Sequence, residues 1–379
     1  MAPVETRSGY GDHSRDLCTS LIEMDMFDIK IKSVKWGNTP MTGLDKSRDD
    51  HMEIEKRLYW EQGLNVQPDV MIHIGVPNEF QNWGKFNVGI TAGIETTQCS
   101  SDWLQGLNKM DMIIVPSNHS KTVFEKTVFE KKEEGTDKTI GKLQCEKPVH
   151  VLFEGVDTDI WYKTDEKDEE VEEVMSQVKG DCFLFVGHWL RGNLGQDRKD
   201  VGSLVKVFCE TFVLKTSGAD FSHIDRREIR DKIQQVKSTV DSQDLPDIHF
   251  IHGDLSEKQL NHLYNHSKVK AHISFTKGEG YGRPLAEASQ SSKLVIAPNW
   301  SGHIDFLDPK FSVLLSGQLT EVDDSAIWEG VIEKGSAWFT VDYALASTMM
   351  KNYYNNQKAY KARGYKQAKH IKENFSFDK

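Results

Sequence analysis

Short apolar runs of strand length alternate with amphipathic stretches of helix length along most of this chain. The runs are MIHIGV (71–76), MIIVPS (112–117), VHVLFEGV (149–156), CFLFVG (182–187), FVLKTSG (212–218), IHFIHG (248–253), AHISF (271–275) and LVIAPN (294–299). They read as strands buried on both faces. Buried strands separated by helices make βαβ units, and βαβ units make parallel sheets. The expected class is α/β. The chain has 379 residues, more than the ~250–300 at which a single core stops growing. Two sets of βαβ units are expected, parted by the charged stretch 163–179 (KTDEKDEEVEEVMSQVK), with the boundary near 157–168. Its acidic run reads as a solvated face.

Charge and composition remove several classes of function. The chain carries 58 acidic against 47 basic residues, a net −11. A nucleic-acid partner needs a basic footprint and is disfavoured. No window approaches ~18 consecutive apolar residues, so no membrane span is expected. The first residues, MAPVETRSGYGDHSRD, contain no apolar core of a signal peptide. Cys18, Cys99, Cys145, Cys182 and Cys209 are scattered, odd in number and without a C-x-x-C. Neither a disulfide framework nor a zinc site is expected, and a reducing cytoplasm is the expected compartment. His119, His252, His266 and His303 read as surface or core residues rather than metal ligands, and no metal is expected.

Local signals mark two helix starts. Ser256 followed by Gln259 is a capping box, with Leu260, Leu263 and Tyr264 at helical spacing behind it. Pro284 suits a first helical turn after the glycines of EGYGRP. Two places read as short. Thr6-Arg7-Ser8-Gly9-Tyr10-Gly11 is turn-like and leaves little room for a strand before it. VGSLVKVFCETF, a helical pattern, runs into FVLKTSG with almost no loop, where ~2–6 residues are usual.

The strongest candidate for chemistry is Lys277-Gly278-Glu279-Gly280-Tyr281-Gly282-Arg283-Pro284-Leu285-Ala286-Glu287. It follows a strand and opens a helix. Its glycines let backbone approach a ligand closely, and the helix start offers free N–H groups to an anion. The two carboxylates would accept hydrogen bonds from sugar hydroxyls. The alternative reading is a tight strand-to-helix turn with solvated glutamates.

Glu279 and Glu287, with seven residues between them, resemble the E-x7-E motif of retaining GT-B glycosyltransferases of the family-four type, usually E-G-F-G-x-P-x-x-E. The resemblance extends, in order, over VLFEGVDTDIWY, FVGHWLRGNLGQDRKDVGSLVKVF, HGDLSEKQLNHLYNHSKV, NWSGHIDFL and KHIKENFSF, most of the chain from about residue 110. It implies two Rossmann-like domains facing across a cleft. The expected domains are 1–157, on the acceptor side and with its first strand apparently missing; 158–340, binding the nucleotide sugar; and 341–379, helices packing back toward the first domain. VPNEFQNWGKFNVGITAGIETT and GHWLRGNLGQDRKDVG are similar to chains of large bacteriophages.

The resemblance also implies roles. Glu279 would face the donor sugar hydroxyls, and backbone around Gly280, Tyr281 and Gly282 would contact sugar and phosphate. Glu287 would bind the ribose. Lys199 would neutralise the leaving diphosphate. His188 stands where the family usually has Arg, so Arg191 or Arg198 is expected to supply the guanidinium. Gly93 stands where the family often has an acceptor-side His, which makes Glu95 a candidate at the reacting centre, with a surface Glu as the alternative. The loop with Gly9 and Gly11 resembles the family's N-domain Gly-rich loop near the phosphates. Asp157-Thr158-Asp159 has the D-x-D form of a metal motif but falls in the interdomain segment. Tyr59, Trp60, Phe80, Trp83 and Phe86 in the first domain, and Trp328, Trp338 and Phe339 in the second, read as packing, with acceptor stacking as the minor reading.

The expected activity is transfer of a sugar from a nucleotide sugar, UDP- or GDP-sugar foremost, to an acceptor hydroxyl with retention. No bound cofactor is expected. Glycans or lipid-linked sugars are the commoner family acceptors, and a modified DNA base stands against the net charge. Two alternatives are a degenerate protein that binds nucleotide sugars without turnover and a nucleotide-sugar epimerase.

Overall fold

A computed structural model describes every residue except 62, 134, 136, 137, 209–211, 218–221, 241–246, 378 and 379, and describes 212–217 by backbone alone. The chain forms two compact units: Met1–Glu154 with Glu329–Glu333, and Gly155–Trp328 with Lys334–Lys379.

The first unit contains α1 (Gly9–Glu23), α2 (Asp49–Lys56), β1 (Val70–Ile74), β2 (Phe86–Ile90), α3 (Ser101–Leu107), β3 (Met112–Val115), α4 (Asn118–Lys126), β4 (Val128–Lys132), β5 (Thr139–Gln144) and β6 (Val149–Val151). Strands β1-β2-β3-β6 form a parallel sheet in that order, while β4 and β5 make a separate antiparallel hairpin. Alternate side chains along β3 serve two cores. Ile113 and Val115 join Phe80, Trp103, Leu104 and Phe124, whereas Met112 and Ile114 pack toward Val4, Ile54, Ile74 and Ile90. That two-sided burial is what unbroken apolar runs demand.

Where a first strand would lie, the structure has a single bridge. Met1 N donates to Ile72 O at 2.7 Å, Ile74 N donates to Met1 O at 2.9 Å, and Ala2 pairs with Ser33. The chain then enters α1 through Ser8, whose hydroxyl accepts from Gly11 N at 3.0 Å. Gly9 and Gly11 thus belong to the first turn of a helix. Gly11 is fixed by packing, since a Cβ there would sit 2.1 Å from Thr6 O.

The second unit contains α5 (Glu169–Ser176), β7 (Cys182–His188), α6 (Val201–Val207), β8 (Phe212–Ser217), α7 (His223–Ser238), β9 (Ile248–Ile251), α8 (Glu257–Asn265), β10 (Val269–Ile273), α9 (Arg283–Ser289), β11 (Leu294–Pro298), β12 (Val313–Leu315), the hairpin β13 (Gly317–Glu321) and β14 (Ala337–Val341), α10 (Tyr343–Asn355) and α11 (Gln357–Asn374). Six parallel strands run in the order β12-β11-β10-β7-β8-β9. This is the doubly wound order, whose direction of winding reverses between β7 and β10. The capping box at Ser256 and Gln259 forms as expected and starts α8. The charged stretch 163–179 holds α5, capped by Asp168. Helix α10 packs on α6, and α11 packs on α9 and β11. The expected near-absence of a loop before Phe212 falls on 209–211, outside the described residues.

Candidate active site

In an open α/β sheet the place to look is outside the carboxyl ends of the strands where the order reverses. Here these are the ends of β7 and β10. After β7, the loop that starts at exposed His188 carries exposed Arg191, then Arg198 and buried Lys199 into α6. After β10, residues 274–282 are all buried on the way to α9. Gly282 caps that helix at φ 107°, a backbone region that side chains disfavour. Pro284 follows in its first turn.

The two loops meet through charge. Lys199 Nζ donates to Glu279 Oε1. Arg198 Nη1 donates to Glu279 Oε2 at 3.2 Å and to Gly278 O at 2.9 Å. Burial works against a charge on Glu279, but Lys199 and Arg198 outweigh it and hold the carboxyl down at about 2. Lys199 and Glu279 also border a small cavity whose walls include Leu184 and Val186 of β7, Ser274, and Pro284 and Leu285 of α9. A cationic pair facing a hydrogen-bond acceptor beside a cavity suits a ligand that carries both an anion and hydroxyls.

Packing fixes the loop's shape. Gly302, in the turn after β11, donates its N–H to Glu279 O at 2.9 Å, and Glu279 N donates to Ser301 Oγ at 3.0 Å. A Cβ on Gly302 would lie 2.0 Å from Gly280 O. The ring of Tyr281 packs on Phe306 at 4.8 Å, so its side chain is structural. Glu287 lies on α9, with Arg283 Nε 3.7 Å from Oε1 and the Tyr264 hydroxyl 3.5 Å from Oε2. Tyr264 also lines the cavity.

Of the candidate cations, the structure joins Arg198 and Lys199 to Glu279. Arg191 makes no hydrogen bond or ion pair among the described residues. Glu95, half-buried, belongs to the first unit, on the segment after β2. Gly93 cannot hold a His without rearrangement: its φ is 84°, and a Cβ would meet Ser120 Oγ at 1.9 Å. Lys277 and Asp200 form a further buried pair beside the cluster at 3.3 Å. Both residues are visible in the sequence, but a pairing across that many residues leaves no local signal. Among the described residues no group of His, Cys, Asp and Glu is arranged to hold a metal, and no helix is long and apolar enough to cross a membrane.

No family profile and no curated protein matches the chain. Solved structures do. A glycosyltransferase from Rickettsia africae ESF-5 superposes over 98% of this chain and 92% of its own, with a TM-score of 0.62 at 12% identity. Sucrose-phosphate synthase from Thermosynechococcus elongatus covers 98% and 90%, at 0.59 and 12%. Anabaena HepE in complex with UDP-glucose covers 77% and 69%, at 0.51 and 11%. The chain has the GT-B fold. In this GT-B chain the Lys199–Glu279 cluster belongs to the six-stranded unit, and Glu95, Gly9 and Gly11 belong to the other.

Proposed function

We propose that this protein is a retaining glycosyltransferase that moves a sugar from a nucleotide-sugar donor to an acceptor hydroxyl. The observation that carries the reading is the cluster of buried Lys199 and Glu279 with partly buried Arg198 at the strand-order reversal. In this reading Lys199 and Arg198 take the diphosphate, which competes with Glu279 for both cations. Glu279, ionised and released, accepts hydrogen bonds from the sugar hydroxyls. Glu287 takes the ribose, and backbone at Gly280, Tyr281 and Gly282 borders sugar and phosphate. The bond from the anomeric carbon to the diphosphate oxygen breaks as the acceptor oxygen bonds to that carbon from the same face. The acceptor proton passes to the departing diphosphate. Stabilising charge on that leaving group is the main catalytic contribution. His188, at the end of β7, adds a charge only when protonated, and Glu95 is the acceptor-side polar candidate.

UDP-sugars are the first donors to test, because HepE is seen with UDP-glucose; GDP-sugars come next. A glycan or lipid-linked sugar is the acceptor class we favour over nucleic acid, given the net charge of −11. One observation favours a second reading, a donor-binding protein without transfer: the backbone at Gly93 leaves no space for an acceptor-side His.

Thermal stability against UDP-, GDP-, ADP- and TDP-sugars tests the donor site. A ligand at 100 times its Kd adds ~2.7 kcal/mol. Donor hydrolysis should be lost in Glu279→Ala, and proton NMR of the glycosylated product should show the donor's anomeric configuration. No shift with any nucleotide sugar would sink the donor site. Hydrolysis persisting in Glu279→Ala would remove Glu279 from it. A shift without turnover would select the second reading.

A further inference from the structure

Lys199 is followed by a residue in an unusual conformation. Asp200 has φ 50° and ψ 38°, left-handed backbone at a non-glycine position, directly before α6. Such a residue persists only where its surroundings over-determine it. Its side chain is fully buried, accepts from the Tyr343 hydroxyl at 2.5 Å, and lies 3.3 Å from Lys277 Nζ. Lys277 is itself 2% exposed at the side chain. Its ammonium also donates to Thr340 Oγ1 of β14 at 2.9 Å, and its backbone carbonyl accepts from Phe339 N at 2.9 Å.

Lys277 reaches the other neighbour of Lys199 as well. Its backbone N–H donates to Arg198 O at 2.6 Å. One residue therefore holds the backbone on one side of Lys199 and the carboxylate on the other. Two positions further along its own loop stands Glu279, the partner of Lys199. The Lys277 ammonium is buried and already engaged by Asp200 and Thr340, so it is not a third cation for the ligand.

We propose that Lys277 is a positioning residue. Its buried pair with Asp200, together with its backbone bond to Arg198, sets the place from which Lys199 meets Glu279 and the donor's diphosphate. The diphosphate part of this rests on the transferase reading; the placement of Lys199 against Glu279 does not.

The test compares wild type, Lys277→Met and the double variant Lys277→Met/Asp200→Asn. Removing Lys277 alone strands a buried carboxylate, which is strongly destabilising. The double variant removes both charges together and keeps the test usable if the single variant fails to fold. The first readout is the carboxyl carbon-13 titration of Glu279, assigned with Glu279→Gln, which needs no donor and no turnover. Loss of positioning moves the Glu279 midpoint up by about one pH unit or more, as Lys199 leaves it. The second readout is steady-state kinetics with the donor identified in the stability screen. The double variant should fold and lose about 10–100-fold in kcat, since ~1 Å of misplacement costs up to about 100-fold. A Glu279 titration unchanged in the folded variants overturns the proposal. Wild-type kcat retained in the double variant overturns it too. Failure of wild type to bind or turn over any nucleotide sugar refutes the transferase reading instead, and the titration still decides the placement of Lys199.

Discussion

Two carboxylates near the site titrate in opposite senses, and the reason is local. Glu279 is buried, yet Lys199 and Arg198 keep it ionised, with its midpoint lowered to about 2. Its contribution to stability is present above the ordinary glutamate range of ~4.3 and lost as pH falls toward about 2. Asp197 is also buried. Burial and the neighbouring Asp200 push its midpoint up to about 7, against a weak backbone hydrogen bond from Val201. The unfolded chain ionises this group from ~3.9, so folding loses stability as pH rises from there through about 7. Asn imitates the protonated form and escapes that loss. Asp197→Asn should therefore be more stable than wild type at pH 8 by about 1–3 kcal/mol more than it is at pH 5. Urea unfolding at the two pH values measures this, and an equal difference at both would mean that Asp197 titrates as an ordinary surface acid. The acids of the Asp197-Arg198-Lys199-Asp200 run were visible in the sequence. The buried setting of Asp200 was not, because its partners Lys277 and Tyr343 lie far along the chain.

Elements were legible where the cause is local and obscure where it is not. The capping box at Ser256 and Gln259 fixes the start of α8 within four residues of sequence, and it forms. The repeated Thr-Val-Phe-Glu-Lys shows the limit. At 122–126 it lies in α4, behind the cap Ser117, with Val123 and Phe124 buried. At 127–131 the same five residues pass into β4, paired with β5, and Val128 is exposed. Tertiary partners choose between the two states. Gly93 and Gly302 are similar cases: a glycine is visible in the sequence, but the atom that forbids a side chain is not. The joint of the β10 and β11 loops gives a direct test. A Cβ on Gly302 would lie within 3 Å of backbone atoms of both Gly280 and Glu279, so Gly302→Ala must displace the Glu279 loop. Overpacking of this kind costs about 1–3 kcal/mol, and donor affinity should fall with stability. Gly141→Ala is the control, since nothing lies within 4 Å of a Cβ there. Scanning calorimetry with and without donor compares the two. An unperturbed Gly302→Ala would mean the two loops are not held against each other.

At the scale of the whole molecule, each unit has its own sheet and its own buried core. Phe183, Phe185, Ile273 and Ile296 anchor one. Trp103, Leu104, Ile113 and Phe124 anchor the other. The segment Glu329–Glu333 leaves the second unit to complete the first, where Val331 packs on that core and Gly330 O accepts from Ser100 Oγ at 3.2 Å. No stretch of sequence marks those five residues as part of the other unit. Stabilisation by a nucleotide sugar must enter through whichever unit makes the contacts. The cations and carboxylates that we assign to the donor all belong to the six-stranded unit. Hydrogen exchange with and without the donor should therefore show the largest gain in protection at 197–201 and 274–282. Local opening there is the motion that a bound diphosphate would suppress. The sheet β1-β2-β3-β6 should change less. A gain centred instead on 6–11 and 91–96, with none at 197–201, would place the nucleotide on the other unit. Lys199 and Glu279 would then be a structural ion pair of the GT-B fold, and the search for chemistry would move to Glu95 and the first turn of α1.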